Sequence, residues 1–167
     1  MTSGTGKKKV RKTKKAVKRA KPWLGWYFTE ASECLRYDDG RKIVVGESHS
    51  VKGTPVLCEH GLHASKTVWD ALTYAPGPIL YRVKLSGKFA HDETKSCATT
   101  RHYIAKIDAT ELLREFARKC ALKVIHLWDA PRVVKDYLET GDESLRDAAR
   151  DAARDAARDA ARDAARD

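Results

Sequence analysis

Ile79-Leu80-Tyr81-Arg82-Val83-Lys84-Leu85-Ser86-Gly87 alternates apolar side chains at 79, 81, 83 and 85 with Leu80, Arg82, Lys84 and Ser86. A period of two sends successive side chains to opposite faces, so the stretch predicts a half-buried β-strand ended by Gly87. Four segments carry the same signal more faintly: Trp23 to Phe28, Arg41 to Gly46, Val56 to Cys58 and Arg101 to Ile107. Just before the quoted stretch, Ser65 precedes Val68, Trp69, Leu72 and Ala75. Their spacing of three and four predicts a short helix stopped by Pro76-Gly77-Pro78, giving a local order of strand, helix, strand.

Downstream, Asp108-Ala109-Thr110-Glu111 supplies a capping box, in which the Asp and Glu side chains each satisfy an orphan backbone donor. Leu112, Leu113, Phe116, Ala117, Cys120, Ala121 and Val124 then share one face, opposite Arg114, Glu115, Arg118 and Lys119, and that face is expected to cover the sheet. A second helix begins near Pro131, buries Val133, Val134, Tyr137 and Leu138, and ends at Gly141. Trp69 and Trp128 read as packing residues. The order of elements is that of an α+β fold, a small mixed or antiparallel sheet covered by two or three helices, not a regular βαβ alternation.

From Leu145 the chain repeats Arg-Asp-Ala-Ala to Asp167. Ala and Arg favour helix, and each Asp lies three residues before the next Arg, a spacing that supports a side-chain pair worth a few tenths of a kcal/mol. A period of four exceeds 3.6, so the alanine stripe drifts about 40° per repeat and presents no fixed face to a straight partner. The expectation is a solvated helix about 33 Å long; self-association through its alanines is the alternative.

The 167 residues hold 33 Lys and Arg against 23 Asp and Glu. Lys7, Lys8, Lys9, Arg11, Lys12, Lys14, Lys15, Lys18, Arg19 and Lys21 account for the whole net charge of +10, and residues 1–22 contain no acid. Their few apolar side chains, from Met, Val and Ala, are too little to offset ordering entropy, so a disordered basic arm is expected over 1–22. A globular domain over 23–141 and a charged, Ala-rich repeat helix over 142–167 complete the organisation. No apolar run approaches the roughly 18 to 20 residues needed to span a membrane. No apolar region follows the basic start as an export signal requires, and the arm lacks the apolar face or lipidation signal of a membrane anchor, so a cytoplasmic protein is expected, in a bacterial host cell or phage-associated. Cys34, Cys58, Cys97 and Cys120 fit reduced, partly buried thiols rather than a disulfide framework.

Reactive side chains concentrate in Cys58-Glu59-His60-Gly61-Leu62-His63. A thiolate and two imidazoles suit zinc, with Cys34, Cys97, His49 or His102 as the fourth ligand, although no Cys-x-x-Cys pair accompanies them. The same residues could form a Cys-His nucleophile pair, for which no orienting group or oxyanion donor can be named. A buried thiol with two hydrogen-bonding histidines is the structural alternative and the one expected here, so the reading carries no catalytic residue, no metal and no cofactor. Asp38-Asp39 and Asp92-Glu93 read as solvated loop charge. Trp23, Trp26, Tyr27 and Phe28 beside the basic arm suit either base stacking or, as preferred here, the first strand of the core.

Trp26-Tyr27-Phe28, Val56 to Ser65 (VLCEHGLHAS) and Tyr81 to Gly87 (YRVKLSG), followed by an Ala-rich tail, resemble an uncharacterised family of phage and prophage proteins over about residues 23–145. That family has a Cys-Glu-x-Gly-(Leu or Phe)-His-Ala segment, then a helix, a strand ending in Gly and short Ala-containing repeats. The resemblance implies a viral or mobile-element origin and no activity. Gly61-Leu62-His63-Ala64-Ser65, the helix with Ala71 and Tyr74, and Ile79 to Gly87 also resemble the middle of the ADP-ribosyltransferase fold, where such elements build part of a nicotinamide pocket. His63 stands where that family has a stacking aromatic, and no strand-borne catalytic Glu is found, since Glu111 is read as a helix cap.

The expected function is that of a noncatalytic accessory protein. Its ten arm cations bind nucleic acid, or the acidic surface of a nucleoprotein partner, with gain from counterion release. The competing class is an ADP-ribosyltransferase-like or metal-dependent enzyme centred on residues 58–65. A pocket lined by His63 and Tyr81 with a converging carboxylate would favour the enzyme, and a filled core would favour binding.

Overall fold

The strand read in Ile79 to Ser86 continues five residues further than expected, to His91. A computed structural model describes residues 23–37 and 39–166, in which the strands β1 (Trp23–Thr29), β2 (Ser48–Ser50), β3 (Leu62–Ser65), β4 (Ile79–His91) and β5 (Lys95–Asp108) are joined by α1 (Val68–Thr73) and followed by α2 (Thr110–Val124), α3 (Arg132–Thr140) and α4 (Arg146–Ala164). The class is α+β and every strand pairing is antiparallel. The basic arm lies outside the described residues, as does Asp38. Among the described residues no helix is long and apolar enough to cross a membrane.

β4 and β5 form a long hairpin whose turn is tied by Asp92, Oδ1 of which accepts from the backbone N–H groups of Thr94 and Lys95 at 2.8 Å each. β1 runs along the other edge of β4, from Trp23 opposite Leu85 to Thr29 opposite Ile79. The free edge of β5 pairs with β3 over residues 95–98 and with β2 over 100–102. A bridge between Trp26 and Ser65 joins β1 to β3 and closes four strands into a ring. Gly25 is required at this closure, because a Cβ there would lie 2.7 Å from the Ser65 carbonyl oxygen. Closure removes the unpaired edge that an open sheet would present. Inside the ring, Ile79, Tyr81, Val83 and Leu85 meet Leu35, Ile43, Leu62, Ala64, Ala98 and Tyr103, so the predicted face is the core face.

Gly87 does not end the strand. It sits at φ +89 in a bulge, where Gly87 and Lys88 together oppose Thr99 before pairing resumes at Phe89 opposite Ala98. The extra residue lets the ladder twist without breaking. A Cβ on Gly87 would come within 2.1 Å of Thr99 Oγ1 in a backbone conformation that L side chains rarely adopt. Gly87→Ala should therefore destabilise the domain by about 1–3 kcal/mol, read as a lower denaturation midpoint at unchanged m-value.

Two of the four fainter strand readings were absent, and the other two, Trp23 to Phe28 and Arg101 to Ile107, lie within β1 and β5. Arg41 to Gly46 makes only a bridge from Lys42 to Cys34, although Ile43 is buried, and Val56 to Cys58 is a turn closed by Val56 and His60. Arg101 to Ile107 is the second half of β5. The short β2 and β3 carry too few residues for a period to emerge, so both went unread.

α1 is capped by Thr67, whose Oγ1 accepts from the Asp70 N–H at 3.1 Å, and it covers β1 and β3 with a second cluster of Phe28, Ala71 and Leu80 that Leu113 joins. Ahead of α2, Asp108 accepts from the Thr110 N–H, but Glu111 pairs with Arg114 at 2.8 Å instead of turning back to the cap. The apolar face of α2 contains no buried residue, with Leu112 64% exposed and Phe116, Cys120 and Val124 also exposed. Trp69, read as packing, is 66% exposed and touches Phe116, and Trp128 is exposed as well. α3 buries Val134, half-buries Val133, Tyr137 and Leu138, and ends at Gly141 at φ +70 as expected. α4 packs on α3 through Ala149; from residue 157 the described side chains are exposed, and Arg150, Arg158, Arg162 and Arg166 pair with the Asp three residues earlier.

Candidate functional site

The segment richest in reactive side chains is a turn followed by a strand, which spreads those side chains apart. Val56 N–H donates to the His60 carbonyl at 2.7 Å and His60 N–H donates back at 2.8 Å, with Cys58 at the tip at φ +67. Cys58 Sγ accepts from Lys95 Nζ at 2.9 Å. His60 Nε2 donates to the Lys52 carbonyl at 2.6 Å. His63 Nε2 accepts the Cys58 backbone N–H at 3.2 Å. Each ring and the thiol thus serves a different partner, and the imidazole of His63 is engaged with the backbone of Cys58 rather than its sulfur. Among the described residues, no three His, Cys, Asp or Glu side chains are placed to hold a metal ion. The four cysteines are unpaired thiols, with Cys97 buried, Cys34 half-buried and Cys58 and Cys120 exposed.

Tyr81 points away from this segment. Its hydroxyl donates to Glu33, whose carboxylate is also held by Lys106 Nζ at 2.7 Å. Lys106 and Tyr81 together keep Glu33 below the usual carboxylate range, and burial, then the bond to Glu33, push Tyr81 upward.

A cavity of about 630 Å³ opens beside His63, within the size range of small-molecule sites. Its wall includes Tyr27 of β1, His63 of β3, Lys95 and Arg101 of β5, Tyr74 after α1, and Arg36. Arg101 is 2% exposed and stacks on Tyr27, its guanidinium carbon 3.6 Å from the ring centroid. Nε and Nη2 donate to the Tyr103 hydroxyl at 3.1 and 3.0 Å, and Nη1 donates to the His63 carbonyl at 2.6 Å. Arginine can only donate, so both lone pairs of that hydroxyl are taken and its proton must go to His49 Nδ1, 3.0 Å away. His49 is thereby fixed as the tautomer with its proton on Nε2.

Burial, then Arg41 and Arg101, lower the pKa of His49; burial, then Arg101 and Lys95, lower that of His63. Both rings are acceptors at the nitrogens that matter, so protonation removes a bond as well as adding an unwelcome charge. A histidine depressed in the folded state binds fewer protons there than in the unfolded chain, so its contribution is complete above the unfolded pKa of about 6.5 and is lost as pH falls toward the depressed value. Tm should fall progressively below pH 6.5. The double variant His49→Gln, His63→Gln should flatten that slope, and an unchanged slope would assign the acid loss to other groups.

The sequence pattern of the family described as Domain of unknown function (DUF7666) matches residues 28–115, more than half of the chain. The chain belongs to the DUF7666 family. No curated protein and no solved structure matches it. The matched DUF7666 segment runs from Phe28 in β1 to the first turns of α2, so it contains β2 to β5 and most of the cavity wall. The ten arm cations, Lys7 to Lys21, lie outside both the DUF7666 match and the described residues.

Arg101, Lys95 and Arg36 are side chains of the DUF7666 cavity that sequence reading did not single out, whereas Tyr27 was read as core or base stacking and Tyr74 only within the ADP-ribosyltransferase resemblance. Only Arg101 left a signal, as an inward position two residues before Tyr103 in an alternating strand. Asp39, read as solvated charge, lines the cavity mouth and is held by Arg41 at 2.6 and 2.7 Å. Of the first-strand aromatics, Phe28 is buried and Trp26 and Tyr27 are half-buried, each of the latter two carrying an arginine over its ring.

Proposed function

We propose that the chain is a noncatalytic accessory protein of phage type that binds nucleic acid or a nucleoprotein partner through the cations of residues 7–21. The partition of charge carries this reading: ten basic and no acidic side chains in residues 1–22, against 23 of each sign in the rest. Unpaired cations at that density gain from counterion release on any phosphate polymer. The dispersal of Cys58, His60 and His63 onto separate hydrogen-bond partners supports a noncatalytic domain behind the arm. The phage assignment rests on the VLCEHGLHAS segment, the strand that follows it and the alanine-rich tail. A cytoplasmic setting goes with this reading, with the tail a solvated helix and self-association through the alanines of α4 its alternative.

Removing residues 1–21 should abolish most binding to duplex DNA while leaving the thermal transition in place. For the full chain, log affinity against log salt should fall with a slope of roughly −4 to −8, as five to eight cations engage phosphates. Equal affinity of the two proteins at low salt would overturn the proposal.

One observation favours a second reading, an ADP-ribosyltransferase-like enzyme: a cavity lies beside His63. Tyr81 is not in its wall, and its carboxylates are Asp39, held by Arg41, and Glu59. Release of nicotinamide from NAD by the full chain would select this reading.

A further inference from the structure

We infer that the cavity between β1, β3 and β5 is a binding site for a small molecule bearing a carboxylate or phosphate, anchored by Arg101. The inference goes beyond the arm, since it concerns the folded domain alone.

Arg101 is a charge 98% removed from water in the cavity wall, and among the described residues no carboxylate lies within 4 Å of it. Burying an ion costs several kcal/mol unless an opposite charge or a full set of hydrogen bonds offsets the loss of water. Tyr103 and the His63 carbonyl take three of the five guanidinium N–H groups, leaving one on each terminal nitrogen. A spare N–H on each terminal nitrogen is a donor to the oxygens of a carboxylate or phosphate, the groups arginine recognises most strongly.

The other cations of the wall are less enclosed: Lys95 is half-buried and its Nζ also donates to Cys58 Sγ at 2.9 Å, and Arg36 and Tyr37 are exposed. Lys95 Nζ lies 4.6 Å from the centroid of Tyr74, and the Arg36 guanidinium 5.1 Å from that of Tyr37, so each is over an aromatic face and, among the described residues, in no ion pair. A cation over a ring is positioned but not neutralised. The acids of the wall do not offset them: Asp39 is held at two points by Arg41, and Glu59 is exposed on the turn. The cavity therefore combines the buried charge of Arg101 and the half-buried Lys95 with the aromatic surface of Trp26, Tyr27 and Tyr74, which suits an anionic head on an apolar or flat body and repels cations.

The test is thermal denaturation of the full chain with inorganic phosphate and, separately, benzoate, each compared with sodium chloride at equal ionic strength. At tenfold excess over Kd, the bound anion should raise Tm by about 3–6 °C. Phosphate alone acting would assign a phosphate ligand, and benzoate acting would assign a carboxylate on a flat body. Lys95→Met and Arg101→Gln each keep the basic arm, so binding to the arm survives in them, and both should weaken the effective anion roughly tenfold or more. Lys95 is only half-buried, which keeps the test readable if Arg101→Gln does not fold. No rise with either anion, or an equal rise in wild type and Lys95→Met, would overturn the inference.

Discussion

Tyr103→Phe should lower stability by about 2–4 kcal/mol, a large fraction of the 5–15 kcal/mol typical of a domain. The substitution removes one oxygen and no packing volume, so hydrophobic burial is untouched. That oxygen accepts from Arg101 Nε and Nη2 and donates to His49, and all three residues lie in the buried interior. Its loss leaves a buried guanidinium with one protein acceptor, the His63 carbonyl, where it had two. A donor on a charged group left unsatisfied away from water loses the full desolvation term rather than the net value of a hydrogen bond. The measurement is a denaturant melt, with Tm expected to drop by roughly 10 °C. A loss below 0.5 kcal/mol would mean that water replaces the hydroxyl and that Arg101 is less sealed than its exposure indicates.

Leu85→Ala should cost about 3–5 kcal/mol, whereas Leu112→Ala should stay within about 0.5 kcal/mol. Both are leucines read from clear periodic patterns, one of period two and one of period 3.6. Leu85 is fully buried between Ala98, Tyr103 and the rest of the ring interior, so truncation leaves a cavity lined by side chains that a closed sheet cannot collapse inward. Leu112 lies on the exposed face of α2 and loses nothing to a partner in the described fold. Equal losses from the two variants would show that something covers α2 in solution.

The two leucines also mark the limit of reading by pattern. Periodicity reports which side chains share a face, and it did so correctly for Ile79, Tyr81, Val83 and Leu85 and for the positions along α2 and α3. It does not report whether a face meets a partner. The interior of β4 meets a core because β1, β3 and β5 close around it through long-range pairings such as Trp26 with Ser65, which no local window contains. α2 follows β5 after a single residue and leans on α3, leaving its stripe in solvent apart from the half-buried Leu113 and Ala121. Gly87 was misread for a related reason: a glycine at positive φ looks the same in sequence whether it ends a strand or bulges it, and only the register against Thr99 distinguishes the two.

For the candidate site the division is sharper. The cluster Cys58, His60 and His63 was visible because chemistry-bearing residues stood close in sequence, but proximity along the chain became divergence in space once Val56 and His60 closed a turn and put Cys58 at its tip. The cavity is the opposite case. Tyr27, His63, Lys95 and Arg101 come from three strands, and nothing local marks them as neighbours; antiparallel pairing of β3 with both β1 and β5 brings them to one wall. The class of fold, the core face of the longest alternation, the ends of α3 and the segregation of ten cations into residues 1–22 were legible before any contact was known, because each follows from local period, capping chemistry or charge count. Tertiary structure alone decided that the sheet closes, that the reactive cluster disperses and that Arg101 is buried without a carboxylate, because burial and charge compensation are properties of what arrives from elsewhere in the chain.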